Sequence, residues 1–342
     1  QQQQQRPPWE VTDFGAKGRG VRALETIFRG TIILRERPIM TMRFEMARDI
    51  MSSCNDDMAR QMTSGLSIEF ATGEYGKLSG TDQAGFLELY DCAALFGLDV
   101  SSQPGLFSAK FWSNGVPGPP SASFLEEDDT VVCLKVARFN SSCKPNAIYT
   151  WHGSAKSGEV CIVATADISP NEEICVCYLP SDLLTDSTDE RQAWTRETFG
   201  FSCQCQVCSP GPAAVLFEEH CSERRRLSEE IKKVVVNLCT APAEAIASGL
   251  RAAESLLELL LANGYGTPAK LRVLGWEGYN MSVAGKSPEE EVQRWARLRH
   301  EAIVHEKGEA SDEAQMAATI VGKPARNLGD LQRQDAQMRK LR

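Results

Sequence analysis

The fold is decided by Arg138-Phe139-Asn140-Ser141-Ser142-Cys143-Lys144-Pro145-Asn146 together with the later cluster Cys203-Gln204-Cys205-Gln206-Val207-Cys208. The three thiols of the cluster lie too close in sequence to form separate disulfides easily, but they are well placed to share one metal ion. Structural zinc takes four sulfur or nitrogen ligands, so Cys143 can supply the fourth one. His220 and Cys221, just downstream, are an alternative source of that ligand.

The composition is typical of a soluble globular protein. The 342 residues are 42% hydrophobic and 24% charged, and we find no apolar run of the roughly 20 residues that span a bilayer. This length predicts about two domains. Residues 1–5 are all glutamine and show no signal-peptide pattern, so we expect a disordered tail over residues 1–8. Twelve cysteines without a secretory signal predict reduced thiols or metal ligands, and hence a nuclear or cytoplasmic location.

The net charge of −9 argues against direct binding to nucleic acid, which relies on clustered Lys and Arg side chains. A basic partner, such as a peptide that carries lysine, fits better. Acidic clusters at residues 126–129 and 182–190 can attract such a peptide. The alternative interpretation is that both clusters are solvated loops.

The secondary-structure pattern changes near residue 210 from short strands separated by turns to long helices. The predicted strands cover residues 31–34, 130–136, 159–164 and 173–178. The predicted helices cover residues 44–62, 86–96, 215–239, 242–263, 268–284 and 288–307. Residues 115–120 are predicted to form a loop because they are rich in Gly and Pro. We expect the polar residues after about 323 to fray.

A Gly-rich motif, Gly18-Arg19-Gly20-Val21-Arg22-Ala23, lies near the N-terminus. Its GxGxxA spacing suggests a dinucleotide-binding fold and a nicotinamide-dependent oxidoreductase. That fingerprint requires a strand before the glycines and a helix after them. The residues before this motif have little apolar content, and those after it lead through Arg29-Gly30 into a strand. The motif alone therefore indicates only a tight turn.

Taken together, these segments resemble the SET-domain protein methyltransferases. The resemblance covers residues 13–208 and comprises four motifs in the family's order. They are the GxG strand opening at 18–23, the RFxxSCxPN segment at 138–146, the segment Asn171-Glu172-Glu173-Ile174-Cys175-Val176-Cys177-Tyr178, which is similar to GEEIxxxY, and the CxCxxC cluster. The helical C-terminus resembles the branch related to the MYND-SET proteins. Residues 44–70 lack the cysteine and histidine array of a MYND finger, as in the shorter, fungal type.

The resemblance implies an α+β fold built around a mostly-β SET domain. We expect that domain over residues 9–182, with a helical insertion at about 44–115. A post-SET zinc-binding segment at 183–210, an all-α helical-repeat domain at 213–322 and a polar tail at 323–342 complete the expected organisation.

The implied activity is transfer of a methyl group from S-adenosylmethionine to a lysine side chain of a protein, with a histone tail as one candidate. In-line displacement by a neutral amine depends mainly on positioning two reactants and excluding water. Tyr178, which ends its motif, is the implied catalytic residue. The implied cofactor-binding residues are Lys17, Gly18, Arg19, Gly20, Asn140, Ser141, Tyr178 and Phe201, and the implied zinc ligands are Cys143, Cys203, Cys205 and Cys208.

Each of these residues has an expected contact and a structural alternative. Lys17 and Arg19 are implied to reach the cofactor's carboxylate, Asn140 to hold the cofactor with its amide, and Phe201 to cover the adenine. Surface charges, a capped turn and core packing are the respective alternatives. Trp194 and Phe199 either wall a lysine channel or pack a helix.

Ser141 is the main departure from the family, which usually has His in its NHSC element. A serine loses the reach of an imidazole, and a buried group left unsatisfied costs about 1 to 3 kcal/mol. Weakened cofactor binding would favour an alternative function, a catalytically weak SET scaffold that binds partners through its helical C-terminal domain.

Overall fold

The computed structural model describes residues 6–55, 57–98, 101, 103–120, 128–154, 157–179 and 186–340. The chain divides into two compact units. The first comprises Gln1–Tyr178 with Gln192–Gln204, and the second comprises Leu179–Arg191 with Cys205–Arg342. The helices of the described ranges are too short or too polar to cross a membrane.

Small antiparallel sheets form the framework of the first unit. Their orders are β1-β2-β9, β3-β8-β7 and β4-β6-β5. The strands are β1 (Trp9–Asp13), β2 (Arg19–Ala23), β3 (Ile32–Glu36), β4 (Met40–Met42), β5 (Val116–Pro120), β6 (Asp128–Val132), β7 (Ala147–His152), β8 (Glu159–Ala164) and β9 (Glu173–Ile174). Antiparallel pairing throughout these strands excludes the parallel βαβ arrangement of a dinucleotide-binding fold.

An apolar core joins strands of the three sheets. Val21 of β2 and Ile162 of β8 are completely buried, as is Phe139 of the RFxxSCxPN segment. Val176, beyond β9, packs into the same cluster. The core therefore places the GxG, RFxxSCxPN and NEEIxxxY segments around shared side chains.

A helical insertion lies between β4 and β5. It contains α1 (Phe44–Ser53), α2 (Met58–Thr63), α3 (Gly65–Tyr75), α4 (Gly80–Leu87), a 3-10 turn (Ala93–Phe96) and α5 (Gln103–Asn114). Ile50, Met62, Phe86 and Phe111 are almost fully buried in its separate core. A further α-helix, α6, covers Thr188–Phe199.

The second unit is a helical array. It contains α7 (Pro212–Glu219), α8 (Cys221–Val236), α9 (Ala243–Ala262), α10 (Pro268–Ala284), α11 (Glu289–Lys307), α12 (Asp312–Gly322) and α13 (Leu328–Lys340). Successive helices from α8 to α12 pack against each other. A Cβ atom on Gly278 would lie 2.3 Å from the fully buried Trp295 ring, so glycine allows α10 and α11 to approach closely.

Several predicted elements were too long, because helices are broken and strands end earlier than predicted. The helix predicted at 44–62 ends at Ser53, where Asn55 adopts a left-handed φ of 52°. The helix predicted at 215–239 breaks at His220. Residues 86–96 contain the end of α4 and a 3-10 turn instead of one helix. The strands predicted at 130–136 and 173–178 end at Val132 and Ile174.

Three other predictions were wrong because tertiary contacts override local signals. Residues 116–120 form strand β5 despite their prolines, since β5 lies at a sheet edge where Pro is tolerated. The residues before the GxG motif form β1, so a strand does precede the glycines, but strand β2 follows them. The tail expected to fray is helix α13, with Leu331 and Met338 buried and Gln334 accepting a hydrogen bond from Tyr279 at 2.7 Å.

Candidate active site

The GxG motif forms the turn and second strand of the β1–β2 hairpin. Gly18 has a φ of 71°, a left-handed conformation that favours glycine, and its carbonyl accepts from Phe14 N at 2.8 Å. A Cβ atom on Gly20 would lie only 2.5 Å from Asn140 Nδ2 and 3.0 Å from Glu173 Oε1. The two glycines therefore have different purposes, a turn and a close approach to polar side chains.

The RFxxSCxPN and NEEIxxxY segments are joined by backbone hydrogen bonds. Val176 N donates to Asn140 O at 3.0 Å, and Ser142 N donates to Val176 O at 2.8 Å. The side chain of Asn146 adds a further link, because its Oδ1 accepts from Cys175 N at 2.8 Å. These bonds fix the position of Tyr178 relative to Asn140.

Tyr178 is held at both its backbone and its hydroxyl. Its hydroxyl donates to Phe139 O at 2.6 Å, and its backbone N donates to Ser141 Oγ at 3.1 Å. Burial, followed by the nearby Cys175 and Glu173, raises the pKa of Tyr178 above its usual range. The phenol therefore stays protonated at neutral pH, with its proton directed to the Phe139 carbonyl and its oxygen still able to accept a hydrogen bond.

The contact to Tyr178 N gives Ser141 a structural role. The sequence predicted that replacing His by Ser loses a hydrogen bond, but the smaller hydroxyl reaches the backbone of the candidate catalytic residue directly. Ser141 therefore takes part in positioning Tyr178.

Aromatic rings surround Tyr178. The ring of Phe199 lies 5.4 Å from that of Tyr178 and that of Phe201 lies 6.5 Å away, both edge-on. Trp194 extends the cluster, with its ring 5.5 Å from Phe199. Such a wall excludes water and attracts cations to ring faces. The structure thus brings the two proposed channel residues, Trp194 and Phe199, together with Phe201.

Lys17 and Asn140 meet at one carboxylate, that of Glu173. Lys17 Nζ lies 2.7 Å from Glu173 Oε2, and Asn140 Nδ2 donates to Glu173 Oε1 at 2.8 Å. Burial lowers the pKa of Lys17, but its hydrogen bond and charge pairing with Glu173 raise it, and the net direction is upward. Sequence analysis missed Glu173 as a site residue. Its place in the NEEIxxxY motif was the available signal.

Arg19 points to a different partner from Lys17. Its guanidinium donates to Glu88 O at 3.2 Å and lies 3.7 Å from the Glu88 carboxylate, while Arg138 donates to the same carbonyl at 3.4 Å. The side chain of Arg19 is 52% exposed. Arg19 and Lys17 are thus not gathered at one anion site, although the sequence predicted that both reach the same carboxylate.

The sulfur atoms of Cys143, Cys203, Cys205 and Cys208 lie within 4.8 Å of one another and can hold a metal ion. The Cys143 and Cys203 sulfurs are 4.0 Å apart. A tetrahedral zinc site with bonds of about 2.3 Å places its sulfurs roughly 3.8 Å apart, so this donor set fits zinc. Among the described residues, His220 and Cys221 are not part of this group.

Side chains next to the cysteines hold the local backbone. Gln192 bonds Cys203 twice, donating to its carbonyl at 2.8 Å and accepting from its N at 2.9 Å. The completely buried Arg191 donates to Val207 O at 3.3 Å and lies 3.6 Å from Cys208 Sγ. A guanidinium beside a thiolate stabilises its negative charge.

The acidic clusters lie partly outside the described residues. Residues 126, 127 and 182–185 are not described, so the predicted attraction of a basic peptide there stays a prediction. Asp129 is buried and accepts from Phe44 N at 2.8 Å, while Glu190 bonds Arg225. These two carboxylates therefore have structural partners.

Comparison with known proteins identifies the domain. The SET domain family model matches residues 18–179. Histone-lysine N-methyltransferase set5 of Schizosaccharomyces pombe is 34% identical over 105 residues, covering 31% of this chain and 29% of that protein. N-lysine methyltransferase SMYD2 of Homo sapiens is 31% identical over 138 residues, covering 40% of this chain and 27% of that protein. The chain thus matches less than a third of the length of either relative.

Solved structures give a weaker comparison. The SET domain of LSMT bound to MeLysine and AdoHcy aligns with 99% of this chain and 92% of that chain, at 14% identity and a TM-score of 0.33. This overall similarity is too low to carry any inference about the site.

Proposed function

Residues 18–179 are a SET domain, and we propose that the chain is an S-adenosylmethionine-dependent protein-lysine methyltransferase. The observation that carries the proposal is the junction of three motifs around Tyr178, whose hydroxyl lies 2.6 Å from the carbonyl of the residue that precedes Asn140. The relatives named as lysine methyltransferases share part of this region and support the same activity.

S-adenosylmethionine supplies a methyl group on a positively charged sulfur. Lys17, Gly20 and Asn140 are the proposed binding residues, because a cation, a close backbone approach and an amide lie at one place. Arg19 is also proposed to contact the cofactor, because it lies next to Gly18 in the GxG motif. Phe201 is proposed to cover the adenine.

Tyr178 is proposed to orient the substrate amine. Its proton is held by Phe139 O, so its oxygen can accept a hydrogen bond from the approaching lysine. Holding the amine in line with the methyl group converts a bimolecular encounter into an oriented one, which is the largest available contribution in such a reaction. The aromatic wall of Trp194, Phe199 and Phe201 excludes water from that line.

The proposed substrate is a lysine in a basic protein segment, and a histone tail is one such segment. The net charge of −9 supports a basic partner and not nucleic acid. A nuclear or cytoplasmic location is proposed because the twelve cysteines are expected to be reduced thiols or metal ligands, and fluorescence microscopy of a tagged protein tests it.

The first experiment is calorimetric titration of the zinc-loaded protein with S-adenosylmethionine, followed by mass spectrometry of lysine peptides after incubation. We expect saturable binding in the micromolar range and peptide masses raised by whole methyl groups. Tyr178→Phe should keep cofactor binding and reduce the transfer rate by about 10²-fold.

Tyr149→Phe is the matched control. Tyr149 is also a phenol that donates to a backbone carbonyl, Cys177 O, at 2.8 Å. We expect Tyr149→Phe to lower the free energy of unfolding by an amount similar to Tyr178→Phe but to leave the methyl-transfer rate unchanged. If folded, zinc-loaded protein does not bind the cofactor, the proposed methyltransferase activity is contradicted, and the alternative of a partner-binding SET scaffold is favoured.

A further inference from the structure

The carboxylate of Glu173 lies at the centre of the proposed cofactor contacts. One oxygen binds the ammonium group of Lys17 and the other binds the amide of Asn140. A Cβ atom on Gly20 would lie 3.0 Å from Oε1, so the carboxylate also lies against the GxG backbone. A negative charge therefore lies in a site where the ammonium group of Lys17 by itself would bind an anion.

This charge pair is partly withdrawn from water. The side chain of Glu173 is 12% exposed and that of Lys17 is 32% exposed. Charge-assisted hydrogen bonds are stronger than neutral ones, and partial burial weakens their screening by solvent. The site thus presents one fixed positive and one fixed negative group side by side.

The amino-acid end of S-adenosylmethionine has the same pattern, with one ammonium and one carboxylate at neutral pH. We infer that Glu173 and Lys17 together recognise this zwitterionic end, with Glu173 accepting from the ammonium and Lys17 donating to the carboxylate. Lys17 alone would attract the carboxylate but repel the ammonium beside it. The inference rests on the proposed function, because it requires that the adenosyl ligand binds at the GxG strand.

Three ligands distinguish the contribution of Glu173 from that of Lys17. S-adenosylhomocysteine carries both groups, its decarboxylated analogue carries only the ammonium, and 5′-methylthioadenosine carries neither. Their dissociation constants are measured by calorimetry with wild-type protein, Glu173→Gln and Lys17→Gln. Glu159→Gln is the control for the change in net charge, since Glu159 pairs with Arg35 across β3 and β8 at 3.1 Å.

The two variants should give a crossed pattern. Glu173→Gln weakens the binding of S-adenosylhomocysteine and of the decarboxylated analogue by about tenfold or more, because the acceptor of the ammonium group loses its negative charge. Lys17→Gln weakens S-adenosylhomocysteine similarly but leaves the decarboxylated analogue unchanged or tighter. Binding of 5′-methylthioadenosine stays within about twofold in both variants.

Other outcomes overturn the inference in distinct ways. Tighter S-adenosylhomocysteine binding by Glu173→Gln would show that Glu173 competes with the ligand carboxylate for Lys17. An equal loss for 5′-methylthioadenosine would show that Glu173 only supports the fold of the site. If folded wild-type protein binds none of the three ligands, the proposed function fails as well, whereas wild-type binding with no effect of Glu173→Gln overturns this inference alone.

Discussion

Gly20→Ala tests whether the GxG strand must lie this close to the polar side chains of the site. An added Cβ would lie 2.5 Å from Asn140 Nδ2, 2.8 Å from Phe14 Cδ2 and 3.0 Å from Glu173 Oε1. Relaxed contacts of a carbon atom are about 3.5 Å or longer, so the deficits are roughly 1.0, 0.7 and 0.5 Å. Phe14 is only half-buried and can turn away, but Asn140 and Glu173 are bonded to each other.

Relief of these contacts requires movement of Asn140 or of strand β2. Overpacking of this kind costs about 1–3 kcal/mol, so we expect the free energy of unfolding to fall by that amount. Because Asn140 is a proposed cofactor contact, binding of S-adenosylhomocysteine should weaken by about tenfold or more. Urea denaturation and calorimetry on the same preparation measure the two effects.

Gly80→Ala is the control for replacing a glycine with alanine. Gly80 begins helix α4, has no heavy atom within 4 Å of its added Cβ, and lies in the same unit. Alanine there should leave stability unchanged or raise it. Gly20→Ala with wild-type stability and wild-type ligand affinity would refute the steric reasoning, because the strand would then not be confined.

Two further predictions concern the second unit. Burial raises the pKa of Glu277 to about 7, so the folded state holds a proton that the unfolded state loses above pH 4.5, and stability falls as pH rises through that window. Glu277→Gln should therefore raise the free energy of unfolding at pH 8 by up to about 3 kcal/mol and change it little at pH 4.5. Urea denaturation measures both values, and an equal effect at the two pH values would show that the raised pKa of Glu277 is not the cause. Arg191→Met removes the bonds to Val207 and Cys208 and should weaken zinc retention by about 10- to 100-fold against a chromogenic chelator. The exposed Arg226→Met is its control, and equal retention by both variants would deny Arg191 this role.

Local spacing predicted the metal site, and the family resemblance predicted the other site residues. The CxCxxC cluster and the single cysteine of RFxxSCxPN identified four sulfurs that the fold brings within 4.8 Å. The resemblance to the SET family identified Tyr178 and Asn140, which lie on segments joined by backbone hydrogen bonds. The cysteine cluster could be predicted from residue type and short spacing, and Tyr178 and Asn140 from the family motifs that they match.

Other residues were not readable because their partners are distant in sequence. Glu173 is acidic in a motif that contains two acids, and only the fold shows that it, and not Glu172, meets Lys17 across 156 positions. Arg19 was expected to act like Lys17, but its partner Glu88 comes from the helical insertion. Ser141 looked like a loss of function until its contact to Tyr178 N was located.

The sequence by itself determined the kind of domain, the identity of its motifs and the change from strands to helices near residue 210. These features depend on residue type, periodicity and short spacing, which are local properties. Only the tertiary structure decided that α1 ends at Ser53 and α8 begins at Cys221, that β5 and α13 form, and which acid pairs with Lys17. Those outcomes depend on burial and on charge pairs between residues far apart in the chain, whose energies exceed the local preferences they override.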